Sequence, residues 1–301
     1  MKIDVIIPLF NCEKYISQAL DSVLSQTFLP NKILVINDGS TDSGPQIVNE
    51  YIKKYPLIEM ITKPNGGLSS ARNAGIFSSR ADWVAFLDSD DSWLPKKLEA
   101  QVKQIQVSSF KDIGLVYCDF LNVDADNRPS QEFKLPFNPK ALGKCSELLV
   151  SGNFILSSGS GVLVKKDCFD RVGFFDEKLK FGEDWDMWIR ISEQYSVDYV
   201  NQVLVSIRKH SQNMQNQKDE HHLFDFEILK KHYLKHPYQV KLAMLKKSYR
   251  TPTKALFDKS LKWLLDNNMV TSNCEITILK LKGWIFRILK ENKKKLLRHT
   301  N

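Results

Sequence analysis

Three consecutive strand, turn and helix patterns in the first 90 residues constrain the fold of this 301-residue chain more than any other feature. Aliphatic runs occur at 3–9 (IDVIIPL), 32–36 (KILVI) and 58–62 (IEMIT), and each is followed by turn-forming residues and a helical pattern. Short apolar runs of this kind are typical of strands that are buried on both faces of a parallel sheet. The predicted fold class is therefore α/β, with a mostly parallel central sheet flanked by helices.

The remaining pattern predicts further helices and strands. Apolar residues recur at helical spacing from Ile16 to Leu24, and Asn11 is a suitable N-cap for that helix. Another helix is expected to begin at Pro95, because proline is favoured at the first helical position. The other predicted elements are strands at 83–87 and 113–118, an ordered stretch at 158–166, a helix at 182–192 and a pair of strands near 197–200 and 203–210.

Polar and turn-forming residues gather where the predicted strands end. They lie at 10–11, 37–40, 66–67 and 88–91, each after a different strand. Ligands of open α/β sheets bind outside the carboxyl ends of the strands. We therefore expect these four turns, which are distant along the chain, to meet at one crevice.

The turn Asp88-Ser89-Asp90-Asp91 holds three carboxylates in four residues. Unneutralised carboxylates raise one another's pKa, and a bound cation relieves their repulsion. Mg²⁺ and Mn²⁺ prefer oxygen ligands, and Mg²⁺ commonly combines one or two protein carboxylates with substrate phosphates. The alternative is an acidic helix N-terminus, where carboxylates interact with the helix dipole without a metal. Spacing alone leaves both interpretations open.

Two other carboxylate positions are candidates for function. Asp38 could accept a hydrogen bond from a nucleotide base, although Asp-Gly is also a common turn former. Glu183 and Asp184 begin a predicted helix that carries Trp185 and Trp188. A carboxylate beside tryptophans suits a general base next to the face of a sugar. Acidic residues in the first turn of a helix are also common without any such function.

Charge is unevenly distributed along the chain. Residues 215–301 contain 19 Lys and Arg against 8 Asp and Glu, whereas residues 1–214 contain 24 against 27. This difference predicts two regions with different partners, a slightly acidic body and a basic C-terminal region that reads as helical. Because the body is acidic and carries no recognisable binding module, we expect no nucleic-acid partner.

Membrane insertion and export are not expected. A spanning helix needs about 18 or more apolar residues, and no such run occurs. The apolar run at 3–9 is too short for an export signal, so a cytoplasmic location is expected. The five cysteines, without CxxC spacing, predict neither a disulfide framework nor a zinc site.

Within 276–301 an apolar stripe and eight basic residues predict an amphipathic helix that could bind an anionic membrane surface. The alternative is packing of that stripe on the body or on another subunit.

Taken together, the motifs resemble those of the family 2 glycosyltransferases, which have the GT-A fold. The resemblance covers about 3–212, and its segments are VIIPLFN (5–11), INDGSTD (36–42), NGGLSSARNAG (65–75), FLDSDD (86–91), GSGVLVKK (159–166), GEDWDMWIR (182–190) and RKHS (208–211). Each motif is short, but the ordered set is specific. The resemblance implies a GT-A catalytic domain at 1–214, with a nucleotide-binding half at 1–118 and an acceptor half at 119–214, followed by a helical basic region at 215–301.

The resemblance also implies roles for individual residues. The residues that would bind the sugar-nucleotide donor are Pro8, Phe10, Asp38, Arg72, Asp88 and Ser89. Asp90 would ligate Mn²⁺ or Mg²⁺, and His210 would be a further metal or diphosphate contact. Asp184 would be the general base, while Glu183 and Trp185 would contact the acceptor. Departures from the family pattern are Asn37 in place of Asp, Phe10 in place of Tyr and the segment SQNMQNQ (211–217), which ends without the usual Ser.

The expected function is inverting transfer of a sugar from a UDP-sugar to a hydroxyl of a glycan or lipid-linked acceptor in cell-surface polysaccharide biosynthesis. A homodimer is compatible with the sequence. One alternative, a sugar-nucleotide nucleotidyltransferase, would need a Gly-rich phosphate loop where this chain has LFNC at 9–12. The other alternative, a non-catalytic carbohydrate-binding protein, would not need both Asp90 and Asp184.

Overall fold

The computed structural model describes residues 1–130, 143–210, 218–248 and 254–267. The amphipathic helix predicted within 276–301 and the segment 211–217 lie outside these residues. The strands are β1 (Ile3–Leu9), β2 (Lys32–Asn37), β3 (Ile58–Thr62), β4 (Trp83–Phe86), β5 (Ser92–Trp93), β6 (Ile113–Val123), β7 (Val162–Lys165) and β8 (Ser196–Arg208). The helices are α1 (Ile16–Leu24), α2 (Gly44–Lys54), α3 (Leu68–Ser78), α4 (Lys97–Val107), α5 (Ser146–Ser151), α6 (Asp167–Val172), α7 (Glu183–Gln194), α8 (Lys218–Lys231), α9 (Pro237–Ser248) and α10 (Lys254–Asp266).

Within the described residues the strands form one eight-stranded sheet in the order β3-β2-β1-β4-β7-β6-β8-β5. Pairing is parallel between β1 and β2, β1 and β4, β2 and β3, and β6 and β8. It is antiparallel where β7 joins β4 and β6, and where β5 joins β8. The predicted α/β class with a mostly parallel central sheet flanked by helices is confirmed.

The central strand β1 is buried along its whole length because helices cover the sheet. Its neighbour α3 packs on it so closely that a Cβ atom at Gly75 would lie 2.4 Å from Ile6 Cγ2. On α1, the residues that are buried against the core are Ile16, Ala19, Leu20 and Val23. Since β1, β2 and β4 run parallel, their carboxyl ends meet at one edge, so Phe10, Asp38 and Asp88 leave the sheet together.

Three local predictions are wrong. A pair of strands was expected at 197–200 and 203–210, but residues 197–208 lie in the single strand β8. Register shifts at Cys118 and Asp119 keep β6 and β8 paired past Asn201. Helix α4 begins at Lys97 instead of Pro95. Helix α1 is preceded by Tyr15 as N-cap, whereas Asn11 has a φ of +49° and accepts a hydrogen bond from the Thr41 N–H at 2.8 Å.

The chain divides into two compact units. The first comprises Met1–Leu149 and Asn153–Asn213, and it contains the sheet. The second comprises Val150–Gly152 and Met214–Asn301. Its described apolar residues that are buried are Val150, Phe226, Ile228, Leu229, Val240, Ala243, Met244, Leu261 and Leu264. None of the helices in the described ranges is both long enough and apolar enough to cross a lipid bilayer.

Candidate active site

Ser160 forms hydrogen bonds with two residues of the acidic turn that follows β4. The Asp88 N–H donates to Ser160 Oγ at 3.1 Å, and the Ser160 hydroxyl donates to Asp91 Oδ2 at 2.6 Å. The other oxygen of the Asp91 carboxylate accepts the backbone N–H of Arg208 at 3.0 Å. Since both of its oxygens are engaged and its side chain is buried, Asp91 fixes the turn. The other two carboxylates of the turn have different partners, which are Arg72 and Ser158 for Asp88 and His210 for Asp90.

Asp90 and His210 come together although 120 residues separate them. The distance from Asp90 Oδ2 to His210 Nε2 is 3.0 Å. Burial and the nearby Asp88 carboxylate raise the pKa of Asp90, while the hydrogen bond and charge of His210 oppose that rise. A carboxylate that is destabilised in this way gains from a neighbouring cation.

Arg72 connects the acidic turn to the start of α7. Its side chain is fully buried, Nη2 donates to Asp88 Oδ1 at 2.8 Å, and Nη1 donates to Glu183 Oε1 at 2.7 Å. Asp88 Oδ2 also accepts from the hydroxyl of Ser158 at 3.3 Å. The end of β4 and the first turn of α7 are therefore tied together by one guanidinium group.

Asp184 is half-buried next to this pair. Burial and the Glu183 carboxylate raise its pKa to about 7, against the opposing effects of Arg72 and of the Trp185 N–H. That N–H donates to Asp184 Oδ1 at 2.6 Å. A carboxyl group with a pKa near neutrality can take a proton from a hydroxyl and is partly ionised at physiological pH.

The two neighbours of Asp184 that were expected to contact an acceptor face protein groups. The Glu183 carboxylate accepts from Arg72, as described above, and is buried. The Trp185 ring is 3% exposed, and its Nε1–H donates to the Leu149 carbonyl at 2.7 Å. In this arrangement the Trp185 ring packs inside the protein and offers little open surface to a sugar.

Asp38 holds the turn that precedes α3. Its Oδ1 accepts from Lys63 Nζ at 2.6 Å and from the Gly66 N–H at 3.0 Å, and its Oδ2 accepts from the Gly67 N–H at 2.8 Å. Gly67 has a φ of +86°, which glycine adopts most readily. Two hydrogen bonds fill the acceptor sites of Oδ1, so only Oδ2 of this buried carboxylate can accept one more.

The remaining donor-binding candidates lie at the same edge of the sheet. Pro8 is buried within β1, opposite Ile36 of β2. Phe10 is 51% exposed immediately after β1. Ser89 is buried in the acidic turn, and burial raises the pKa of the nearby Cys12 thiol to about 12.

The residues beside the acidic turn fit a divalent ion that is only partly coordinated by protein. Among the described residues, no cluster of three or more His, Cys, Asp or Glu side chains could hold an ion alone. Asp90 and His210 offer one oxygen and one nitrogen, a pair that Mn²⁺ accepts when phosphate oxygens and water complete the shell.

Sequence reasoning missed three residues of this site. Ser160 and Arg208 lie inside quoted motifs but look like ordinary polar positions, and only their contacts reveal that they support the acidic turn. Lys63 could have been found, because it directly follows β3 and the other candidates were chosen by their position after a strand.

Known proteins share both the sequence and the fold of this chain. Residues 4–163 match the family model described as Glycosyl transferase family 2. A Rickettsia typhi protein described as an uncharacterized glycosyltransferase is 31% identical over 246 residues, covering 82% of this chain and 76% of the relative.

Two solved structures resemble the whole chain. Residues 1–349 of S. aureus TarS in complex with UDP-GlcNAc have a TM-score of 0.61 at 17% identity, covering 98% of this chain and 92% of that TarS piece. The mannosyltransferase PcManGT from Pyrobaculum calidifontis, in complex with GDP-Man and Mn²⁺, has a TM-score of 0.64 at 16% identity, covering 94% and 80%. At these identities the likeness shows a shared fold, the GT-A fold. With the family match, it follows that this enzyme belongs to glycosyltransferase family 2.

Proposed function

We propose that this glycosyltransferase moves a sugar from a UDP-linked donor to a hydroxyl group of a glycan or lipid-linked acceptor, with inversion at the anomeric carbon. The observation that carries the proposal is the double ion pair of Arg72 with Asp88 and Glu183. This double ion pair supports a single reaction site, in which the acidic turn would bind the donor and the carboxylate of Asp184 would act on the acceptor beside it.

Asp184 is the proposed general base. A pKa of about 7 leaves a substantial fraction of its side chain ionised at neutral pH and still basic enough to accept the proton of an attacking hydroxyl. Attack from the face opposite the leaving diphosphate would invert the anomeric centre. Removal of the proton by a positioned base typically accelerates such a step about 10²- to 10⁴-fold.

A divalent cation is the proposed cofactor. Asp90 and His210 would hold Mn²⁺ or Mg²⁺, which when bound would supply positive charge against the departing diphosphate. The Mn²⁺ in the PcManGT complex supports use of a divalent metal by this fold. Asp88, tied to Arg72, would orient the ribose or a water molecule beside Asp90.

The proposed base pocket lies after β1 and β2. Phe10 would provide an apolar wall, because half of its side chain is exposed at the end of β1. Asp38 would accept the uracil N–H, while Lys63 and the Gly66-Gly67 turn hold its carboxylate in place. TarS has been solved with UDP and UDP-GlcNAc, which supports a UDP-linked donor, whereas PcManGT has been solved with GDP-Man.

A donor screen tests this proposal. Purified enzyme is incubated with Mn²⁺, a candidate acceptor and a panel of UDP-sugars and GDP-sugars, and release of the nucleoside diphosphate is measured. We expect release from a UDP-sugar that depends on acceptor and on divalent metal, with an anomeric configuration in the product opposite to that of the donor. Release from GDP-sugars alone would overturn the UDP assignment, and retention of configuration would overturn the inverting mechanism.

We further propose that 1–214 is the catalytic domain, with a nucleotide-binding half at 1–118 and an acceptor half at 119–214. The basic region at 215–301 would associate with the cytosolic face of an anionic membrane, in keeping with its 19 basic and 8 acidic residues. Deletion of the residues after 270 should abolish salt-sensitive binding to anionic liposomes. Equal binding by the truncated enzyme would contradict the membrane assignment.

A further inference from the structure

Arg208, the last residue of β8, joins four segments of the first unit through its side chain, which is only 1% exposed. Its Nε–H donates to the Asp90 carbonyl at 2.9 Å. Nη1 donates to the carbonyls of Asp124 and Ala125 at 3.2 and 3.0 Å, and Nη2 donates to Gln18 Oε1 of α1. One guanidinium therefore satisfies acceptors beside β4, after β6 and on α1.

A second path runs from the same guanidinium to His210 through an aromatic ring. Arg208 Cζ lies 4.7 Å from the centre of the Tyr15 ring, a cation–π contact. The Tyr15 ring centre lies 5.2 Å from that of His210. His210 in turn lies 3.0 Å from the carboxylate oxygen Oδ2 of Asp90. Because the Asp90 carbonyl accepts from Arg208, the contacts form a closed loop that begins and ends at Arg208.

The backbone around Arg208 is equally constrained. Its N–H donates to the Asp91 carboxylate, and the next N–H, of Lys209, donates to the Val123 carbonyl at 2.8 Å. Pairing with β6 thus continues one residue past the end of β8. In extended chain, residues two apart lie on the same face, which is why Arg208 and His210 both face the acidic turn.

We propose that Arg208 is a positioning residue that holds Asp90 and His210 at the separation needed to share one divalent cation. The inference rests on the proposed function, in which these two residues bind the metal. Lysine cannot replace it, because a planar guanidinium presents five N–H donors in a fixed fork, whereas an ammonium is a compact point charge. With lysine, at least one of the four acceptors around Arg208 would lose its partner and the Asp90 backbone would be free to shift.

The test compares Arg208→Lys with Arg190→Lys in the full-length enzyme. Arg190 is a matched control in α7, because it also donates to three carbonyls, those of Val172, Gly173 and Phe174, and it pairs with Asp186. Mn²⁺ binding is measured by electron paramagnetic resonance with saturating UDP, and the thermal midpoint is recorded for both variants. We expect Arg208→Lys to raise the Mn²⁺ dissociation constant about 10- to 100-fold, the usual effect of losing an outer-shell contact to a metal ligand. Arg190→Lys should leave that constant unchanged even where its thermal midpoint falls equally.

Gln18→Met provides a milder variant in case Arg208→Lys does not fold. Gln18 is only partly buried on α1, and its replacement removes one acceptor of the guanidinium without touching Asp90 or His210. A smaller rise in the Mn²⁺ dissociation constant is expected for this variant. If the Mn²⁺ dissociation constant rises in neither Gln18→Met nor Arg208→Lys, the proposed role of Arg208 is wrong.

An Asp90→Asn arm separates this inference from the metal assignment on which it rests. If Asp90→Asn weakens Mn²⁺ binding but Arg208→Lys behaves like Arg190→Lys, only the positioning role fails. If Asp90→Asn leaves the Mn²⁺ dissociation constant unchanged, the metal assignment fails and the positioning role fails with it.

Discussion

Arg72 Nη1 lies 2.7 Å from Glu183 Oε1, although the two residues are 111 positions apart in the chain. The same guanidinium also pairs with Asp88, so the carboxylates of the acidic turn and of α7 share one counter-ion. Full burial of Arg72 makes this contact costly to break, because each carboxylate would lose its partner in a setting where water cannot fully replace it.

Replacement Arg72→Met should therefore destabilise the enzyme strongly. Methionine fills a similar volume but leaves Asp88 and Glu183 without their cation, so we expect the free energy of unfolding to fall by about 3 kcal/mol. Chemical denaturation measures this change. Arg128→Met is the control, because Arg128 pairs with Asp124 and Asp126 at the exposed surface, where ion pairs contribute about 0 to 1 kcal/mol. Equal effects of the two substitutions would contradict the importance of the buried pair.

Replacement Asp184→Asn should separate catalysis from stability. Asparagine cannot take up the proton of the acceptor, so kcat should fall about 10²- to 10⁴-fold while UDP binding, measured by calorimetry, is unchanged. Asp170→Asn, at an exposed position of α6, is the control for loss of a carboxylate. Transfer at the wild-type rate in Asp184→Asn would show that another group is the base.

The same substitution should stabilise the fold at alkaline pH. Burial and Glu183 raise the pKa of Asp184 from 3.8 to about 7 in the folded protein, so the folded state binds the proton more tightly than the unfolded chain does. The contribution of Asp184 to the free energy of unfolding is then full below about pH 4 and is lost as the pH rises to about 7. Asparagine has no such titration, and Asp184→Asn should be the more stable protein at pH 8.

The site combines what a sequence can reveal with what it cannot. The bounds of β1 and β3 follow from short runs of mostly apolar residues, and the position of residues after strands located Asp38 and Asp88 correctly at one edge. The pairing of Arg72 with Glu183 cannot be predicted from the spacing of residues in the sequence, because side-chain contacts over such a separation depend on how helices pack on the sheet. Arg208 was missed for a related reason, because an arginine in a polar stretch resembles a solvated one until its burial is known.

The acid limb of the pH profile should follow the charge of Glu183. In the wild-type enzyme, kcat/KM is expected to fall as the pH drops through about 7, where Asp184 becomes protonated. Glu183→Gln removes the carboxylate that helps to raise this pKa but keeps an oxygen that can accept from Arg72. Its acid limb should therefore lie at lower pH. An unshifted limb, measured in buffers of constant ionic strength, would assign the titration to a different group.

Gly159 leaves room for the guanidinium of Arg72, and an alanine there should impair transfer. A Cβ atom at this position would lie 2.9 Å from Arg72 Nη2 and 3.2 Å from Cζ. Arg72 cannot move aside freely, because Asp88 and Glu183 hold both of its terminal nitrogens. The displaced guanidinium would shift the two carboxylates relative to each other, and misplacement of about 1 Å in a reaction site can cost about 10²-fold in rate.

Gly152→Ala is the matched control, since among the described residues nothing lies within 4 Å of a Cβ atom at Gly152. Steady-state kinetics should show a lower kcat/KM for Gly159→Ala and an unchanged value for Gly152→Ala. A double variant, Gly159→Ala with Arg72→Lys, tests the cause, because the shorter head group of lysine would relieve the contact with the added methyl group. If the defect of Gly159→Ala simply adds to that of Arg72→Lys, the alanine acts somewhere other than on the guanidinium.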